Sequence, residues 1–350
     1  MSVMSFKVLT CVIVLLTLLC TPSFAQWQKI SVETSADFRG LSVAGDKVIW
    51  VSGTKGTFVR SVDGGQRWAV GIVRGAEALD FRDVEAFDGD TAYLLSIGNG
   101  DASRIYKTTD GGRNWELQFK NQVPTAFFDA MAFWDRDHGI AVSDPVDGKF
   151  LILSTSNGGK NWSLLPSAGM PAAVQGEGAF AASGTCLIVR GKNDAWLVTG
   201  GTKARIFHST DRGLNWNVMD SPLLSGIESA GNFSIAFRNQ RQGIIVGGDY
   251  RQPESSAGNA ALTKDGGKSW QALKGNAPSG FRSAASWHQY GSRSLLLVAG
   301  TSGSDLSVDG GITWQSVDRQ NYNAVQVSES GVAWAAGPKG MIARYKPAFR

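Results

Sequence analysis

Three arginines share one local setting. Phe38-Arg39-Gly40, Phe81-Arg82-Asp83 and Phe281-Arg282-Ser283 each place an arginine after a phenylalanine at the start of a short apolar run. Guanidinium forks suit carboxylates, phosphates or acidic protein surfaces, because they grip such groups through two parallel hydrogen bonds. Carboxylates and one phenol fall in comparable positions: Asp129, Asp144, Glu177, Asp249 and Tyr250. Two chemistries can be built from this set. One is a non-catalytic charged surface that binds a protein partner, or an anionic or carbohydrate ligand. The other is glycoside hydrolysis, which needs two carboxyl groups flanking the bond at a defined separation. In that case Tyr250 would be the nucleophile and Arg39, Arg82 and Arg282 an anion-holding triad. Against both stands a plain alternative, in which the charges pair with one another around a solvated channel.

Other reactive-looking residues carry less. Gly176 to Ala181 (GEGAFA) fits a loose dinucleotide pattern but lacks the strand-turn-helix unit that gives the pattern meaning. Gly267-Lys268-Ser269 lacks the upstream glycine of a phosphate loop. His138, His208 and His288 lie far apart without paired ligand spacing, so no metal and no cofactor is expected. Cys186 is followed by apolar residues and reads as a small core side chain.

The elements that must position these residues come from a repeat. SVDGGQRW (61–68) returns as TTDGGRNW (108–115), TSNGGKNW (155–162), STDRGLNW (209–216), TKDGGKSW (263–270) and SVDGGITW (307–314). The terminal tryptophans are 47, 47, 54, 54 and 44 residues apart. Each interval holds short alternating runs broken by glycine, with no long helical period, which predicts four strands per repeat and hence propeller blades. After the sixth unit, residues 321–345 supply three strands and stop, while residues 26–33 form a lone strand with a tryptophan at its start. The N-terminal strand is therefore expected to complete the C-terminal sheet, closing a ring of seven blades in one domain, 26–350.

Six similar units on separate blades cannot converge on one ligand, so the repeated octet reads as architecture. Its members are Asp63 and Trp68, Asp110 and Trp115, Asn157 and Trp162, Asp211 and Trp216, Asp265 and Trp270, and Asp309 and Trp314. The Asp-Gly pair suits a tight turn, the hydroxyl and carboxylate can bond the loop backbone, and the tryptophan can wedge between blades. The candidate residues then fall on the opposite face, at the mouth of the central channel. Lys55, Asp147, Lys203, Arg205 and Lys339 join them on the inter-strand loops.

Residues 1–25 have a lysine, a short apolar run and small residues at Ser23 and Ala25. They read as a cleaved secretory signal, too short to span a bilayer comfortably. An exported chain, periplasmic or secreted, is expected, with lipidation at Cys20 disfavoured by the preceding Leu19. Cys11 and Cys20 leave with that segment, so no disulfide framework remains. A formal charge of +4 is too mild to argue for nucleic acid. No further apolar stretch approaches membrane-spanning length, and a monomer is expected.

The octets match the Asp-box (BNR) pattern. With the leader and seven blades, the chain resembles the photosystem II assembly and stability factor family, and more closely its homologues in non-photosynthetic bacteria. Residues 127–150, 176–185 and 233–250 carry the likeness. The resemblance implies a propeller that binds protein partners without catalysis; it does not imply photosynthesis in this case. Asp boxes also occur in sialidases, which place an Arg-Ile-Pro arginine near the position of Arg39, but here Gly40 and Leu41 come after it.

Overall fold

The structure, a computed structural model, describes residues 26–290 and 293–347. The expected leader, with Cys11 and Cys20, lies outside the described residues. Seven antiparallel sheets succeed one another along the chain. Blade 1 runs Phe38–Ala44, Val48–Gly53, Thr57–Ser61 and Ala69–Ile72, and blades 2 and 3 begin at Asp80–Ala86 and Phe128–Phe133. Blades 4, 5 and 6 begin at Leu187–Arg190, Ala230–Phe237 and Ala284–Tyr290, and blade 7 begins at Ala324–Val327. First strands of neighbouring blades touch one another around the channel. Second strands such as Val48–Gly53 and Gly243–Asp249 are apolar and buried on both faces, because a blade covers each side. Fourth strands such as Ala69–Ile72 are largely exposed and form the outer wall.

The ring closes as the two chain ends predict. Gln28–Ser31 pairs antiparallel with Met341–Tyr345, with Gln28 opposite Arg344 and Ser31 opposite Met341. Trp27 anchors the join. Its ring packs 5.2 Å from Tyr322 and 5.5 Å from Tyr345, and its Nε1 donates to Ser304 Oγ at 2.8 Å. The helices among the described residues are two three-residue 3-10 turns, and none is long and apolar enough to cross a membrane.

The octet is a fastener at two levels. Within the turn, Ser61 Oγ accepts from Gly65 N at 2.9 Å and donates to Asp63, whose Oδ1 accepts from the backbone of Gln66 and Arg67. Thr108, Ser209, Thr263 and Ser307 repeat the hydroxyl's part. Between blades, the second glycine faces a large side chain of the preceding blade: Gly65 meets Trp334, Gly112 meets Phe58, and Gly267 meets Trp196. The box tryptophan completes the seam, as where Trp115 packs edge-on against Trp50 and Phe58 at 5.9 and 5.2 Å.

The box carboxylates titrate accordingly. Hydrogen bonds from the Asn114 backbone and side chain hold Asp110 down to about 2, and those from Ser269 hold Asp265 down to about 2. A depressed folded pKa stabilises above the unfolded value near 3.9 and loses that contribution as pH falls through about 2. Asp265→Asn should therefore lower the thermal midpoint at neutral pH, with the difference from wild type closing between about pH 4 and about pH 2. A difference independent of pH, measured by circular dichroism melts, would contradict the account.

Blade 4 departs from the pattern. Its first strand starts only at Leu187, and the expected start, Glu177–Gly178, instead pairs with Gly200–Gly201 on the edge of blade 5. The intervening residues 179–185 leave the blade and cross the channel, while Cys186 O still accepts from Val198 N of blade 4 at 2.9 Å. They reach blade 2 through Arg82, which donates to Ala181 O at 3.2 Å, and blade 6 through Ser183 Oγ, which donates to Ser283 O at 2.8 Å. Neither blade adjoins blade 4 in the ring, so these contacts require a crossing.

Candidate functional site

The crossing segment divides the channel. Above it, on the face opposite the boxes, lies a pocket of about 370 Å³ lined by Arg39, Arg82 and Tyr250 together with Phe180, Phe233, Phe281 and Asn323. Below it, a cavity of about 390 Å³ is lined by first strands of all seven blades, with Asp83 and Glu85 on its wall.

Bulges place the two arginines. In blade 1 the pairing shifts between Phe38 and Gly40, and in blade 2 between Phe81 and Asp83, leaving Arg39 and Arg82 as the extra residues. Each phenylalanine stays fully buried while the arginine turns to the mouth. Arg82 is anchored, its Nε donating to Asp80 Oδ2 at 2.9 Å. Arg39 has no hydrogen bond and no ion pair among the described residues. Burial, and then the like charge of Arg82, push its pKa below the usual arginine value, though a guanidinium keeps its proton in proteins. A half-buried cation beside a second cation, with the Asp80 and Asp37 carboxylates acting on it only from beyond ion-pair distance, favours an anion at the mouth.

Aromatic rings form the floor and wall. Phe180 stacks on Phe233 at 3.8 Å and 6°, and Phe281 meets Phe233 edge-on at 4.7 Å. Tyr250 is 41% exposed and stands edge-on to Phe233 at 6.2 Å, offering its hydroxyl at the rim. None of the residues lining this pocket is an acid.

The other expected site residues lie elsewhere. Arg282 is a correction. It is 0% exposed and lies in the core against Asp305, with Nη2 to Oδ2 at 2.6 Å and Nε to Oδ2 at 2.7 Å. Its backbone N–H bonds Gly247 O of the preceding blade, as that of Phe38 bonds Gly337 O, so Arg282 stands where blade 1 has a phenylalanine. Side chains alternate along a strand, and a slip of one residue reverses which faces the channel. Blade 6 accordingly turns Phe281 to the pocket and Arg282 away from it.

None of the expected carboxylates lines the mouth pocket. Glu177 is buried and engaged by Arg205 through Nε at 2.9 Å and by Thr199 Oγ1 at 2.6 Å. Asp249 is buried in a turn, accepting from Arg251 N at 2.9 Å. Asp129 is buried; burial, and then Asp144, raise its pKa well above the carboxylate range. Burial lifts Asp144 to about 6, against a hydrogen bond from Ala179 N at 2.9 Å. Asp144 and Glu177 line a separate groove of about 690 Å³. Lys203 pairs with Asp220 at the outer rim, and Asp147 occupies a two-residue hairpin turn between Val146 and Lys149, with positive φ. Cys186 is buried, as expected, and burial pushes its thiol well up. Phe180, Phe233 and Phe281 were not legible as site residues; their one signal was an aromatic at each strand start.

The profile of the family described as photosynthesis system II assembly factor YCF48 matches residues 20–169. Among solved structures, YCF48 bound to D1 peptide superposes with a TM-score of 0.63 at 18% identity, covering 93% of this chain and 99% of that one. YCF48 from Cyanidioschyzon merolae gives 0.61 at 17% identity, covering 92% and 99%. A streptogramin B lyase gives 0.65 at 13% identity, covering 92% and 97%. A comparison with curated protein sequences returns no match. The chain is an Asp-box β-propeller that is similar to the YCF48 family over residues 20–169, and solved structures with this fold include a lyase as well as a peptide-bound protein.

Proposed function

We propose that this YCF48-like Asp-box propeller is an exported, non-catalytic binding module of assembly-factor type. It holds a protein partner by an anionic segment at the channel mouth. The observation that carries the reading is Arg39, a half-buried cation with no hydrogen bond or ion pair among the described residues, set beside Arg82 in a pocket whose lining contains no acid. The aromatic wall gives an apolar surface for the rest of the segment. The solved YCF48 carrying a D1 peptide supports a protein partner for a propeller of this build. Export, to the periplasm or beyond, rests on the leader-like character of residues 1–25. The glycosidase reading has less support, because Glu177 and Asp249 are held in internal bonds and Asp129 is buried.

Titration with peptides carrying glutamate runs, against glutamine counterparts, tests the proposal. The acidic peptides should bind, and their affinity should fall as salt rises, since exposed charges are screened within about 10 Å at moderate ionic strength. Equal binding of both series would contradict it.

A further inference from the structure

The crossing segment turns the lower cavity into a blind cup. Ser183, Gly184 and Thr185 close its top. Its wall runs down to Phe133, Arg190 and Phe237, the last residues of their first strands, where the turns that follow meet the boxes. At about 390 Å³ the cup has the size of a small-molecule site. Blades 4 to 6 give it an apolar wall that includes Ile188, Ile235, Phe237 and Trp287.

Its polar lining is already engaged, with one exception. Ser42, Ser286 and Gln326 stand four residues beyond the buried Phe38, Arg282 and Tyr322. Each accepts a backbone N–H from the next blade, at 3.0, 2.9 and 2.7 Å. Glu85 holds the same place in blade 2, four residues beyond Phe81. There, however, the tie to blade 3 is made by Asp83, which accepts from Met131 N at 2.7 Å. Ser183, Thr185 and the Trp287 N–H are bonded as well. Glu85 is left half-buried, with no hydrogen bond and no ion pair among the described residues. The other charged groups of the lining do not compensate it. Asp83 has the same sign, and Arg190 is engaged by Asn239 O and the Phe237 ring. Burial, and then Asp83, push Glu85 well above the usual carboxylate value, and no cation acts against them.

We propose that the cup binds a small organic cation, a primary amine on an apolar body, with its ammonium on Glu85 and its body against blades 4 to 6. The site is separate from the mouth and does not depend on what the mouth holds. An ammonium supplies the counter-ion and the N–H donors that the fold withholds from Glu85. A hard metal ion is a poorer fit, because it needs several oxygen ligands and the cup offers one unengaged carboxyl.

Calorimetric titration of the full chain at neutral pH tests this. The probes are propylamine, cyclohexylmethylamine and 2-phenylethylamine, each against the alcohol of the same carbon skeleton. At least one amine should bind saturably and at least about 10-fold more tightly than its alcohol, the effect of a single charge-assisted hydrogen bond. Glu85→Gln keeps the size of the side chain and should bring that amine down to the affinity of its alcohol. Amine and alcohol binding alike in every pair, or neither binding in any, would overturn the proposal. So would wild-type amine affinity in Glu85→Gln, which would put the ammonium elsewhere.

Discussion

Arg282→Ala is expected to destabilise the propeller by about 3–5 kcal/mol, the cost of leaving a buried charge without its partner. The guanidinium is fully satisfied. Nε and Nη2 hold Asp305, Nη1 donates to Phe281 O and Ser302 Oγ, and Nη2 donates also to Ser279 O. Asp305 in turn accepts from the backbone and hydroxyl of Ser279, so the pair pins the loop before blade 6 to its third strand. Removing the arginine strands a carboxylate that is 1% exposed. A domain's whole stability is about 5–15 kcal/mol, so the variant should be marginal at 37 °C. The companion Arg282→Met/Asp305→Leu removes both charges and should recover most of the loss, because a buried pair contributes little net stability against apolar residues of similar volume. Urea unfolding of the three proteins measures this; a single variant as stable as wild type would mean that Arg282 is not held by Asp305.

Gly267→Ala is expected to cost about 2–5 kcal/mol. The φ of +84° charges any L side chain about 1–2 kcal/mol, and the added methyl meets the Trp196 indole head-on. That ring cannot give way, being stacked on His208 at 3.7 Å and braced by Phe237 at 5.1 Å. Overpacking of this kind adds about 1–3 kcal/mol. Gly275→Ala separates the two contributions, since its φ is +85° with open space around the position. It should show the backbone cost alone, leaving Gly267→Ala the worse by at least about 1 kcal/mol. Equal losses would mean that the box glycine serves only its turn and does not seat one blade on the next.

The blades were legible because the octet fixes a turn, a strand start and a seam at once, and six copies set the period. Ring closure could be read from one strand too many at the start and one too few at the end. The mouth was legible only in part. Phe-Arg reads the same in blades 1, 2 and 6, yet bulges in the first two turn the arginine outward, while blade 6 turns it inward. Composition carries no signal for such a slip, since both residues are buried or half-buried in either setting. The crossing segment was hidden for a similar reason. GEGAFAASG has the glycines and the aromatic of a strand start, but the pairing of Gly200–Gly201 with Glu177–Gly178 draws that start onto blade 5 and frees residues 179–185 from blade 4. Phe180 thus becomes a floor rather than a core residue.

The central claim is that Arg39 and Arg82 bind an anionic segment of a protein partner. It is tested most directly by titrating one acidic peptide into wild type, Arg39→Gln/Arg82→Gln and Arg241→Gln, the last on the box face. Hydrogen bonds to charged groups contribute about 1.5–3 kcal/mol each, so the double variant should bind at least about 10-fold more weakly, with a shallower salt dependence. The box-face variant should match wild type. Equal affinity across all three proteins, with the double variant folded, would place the binding surface elsewhere and contradict the account.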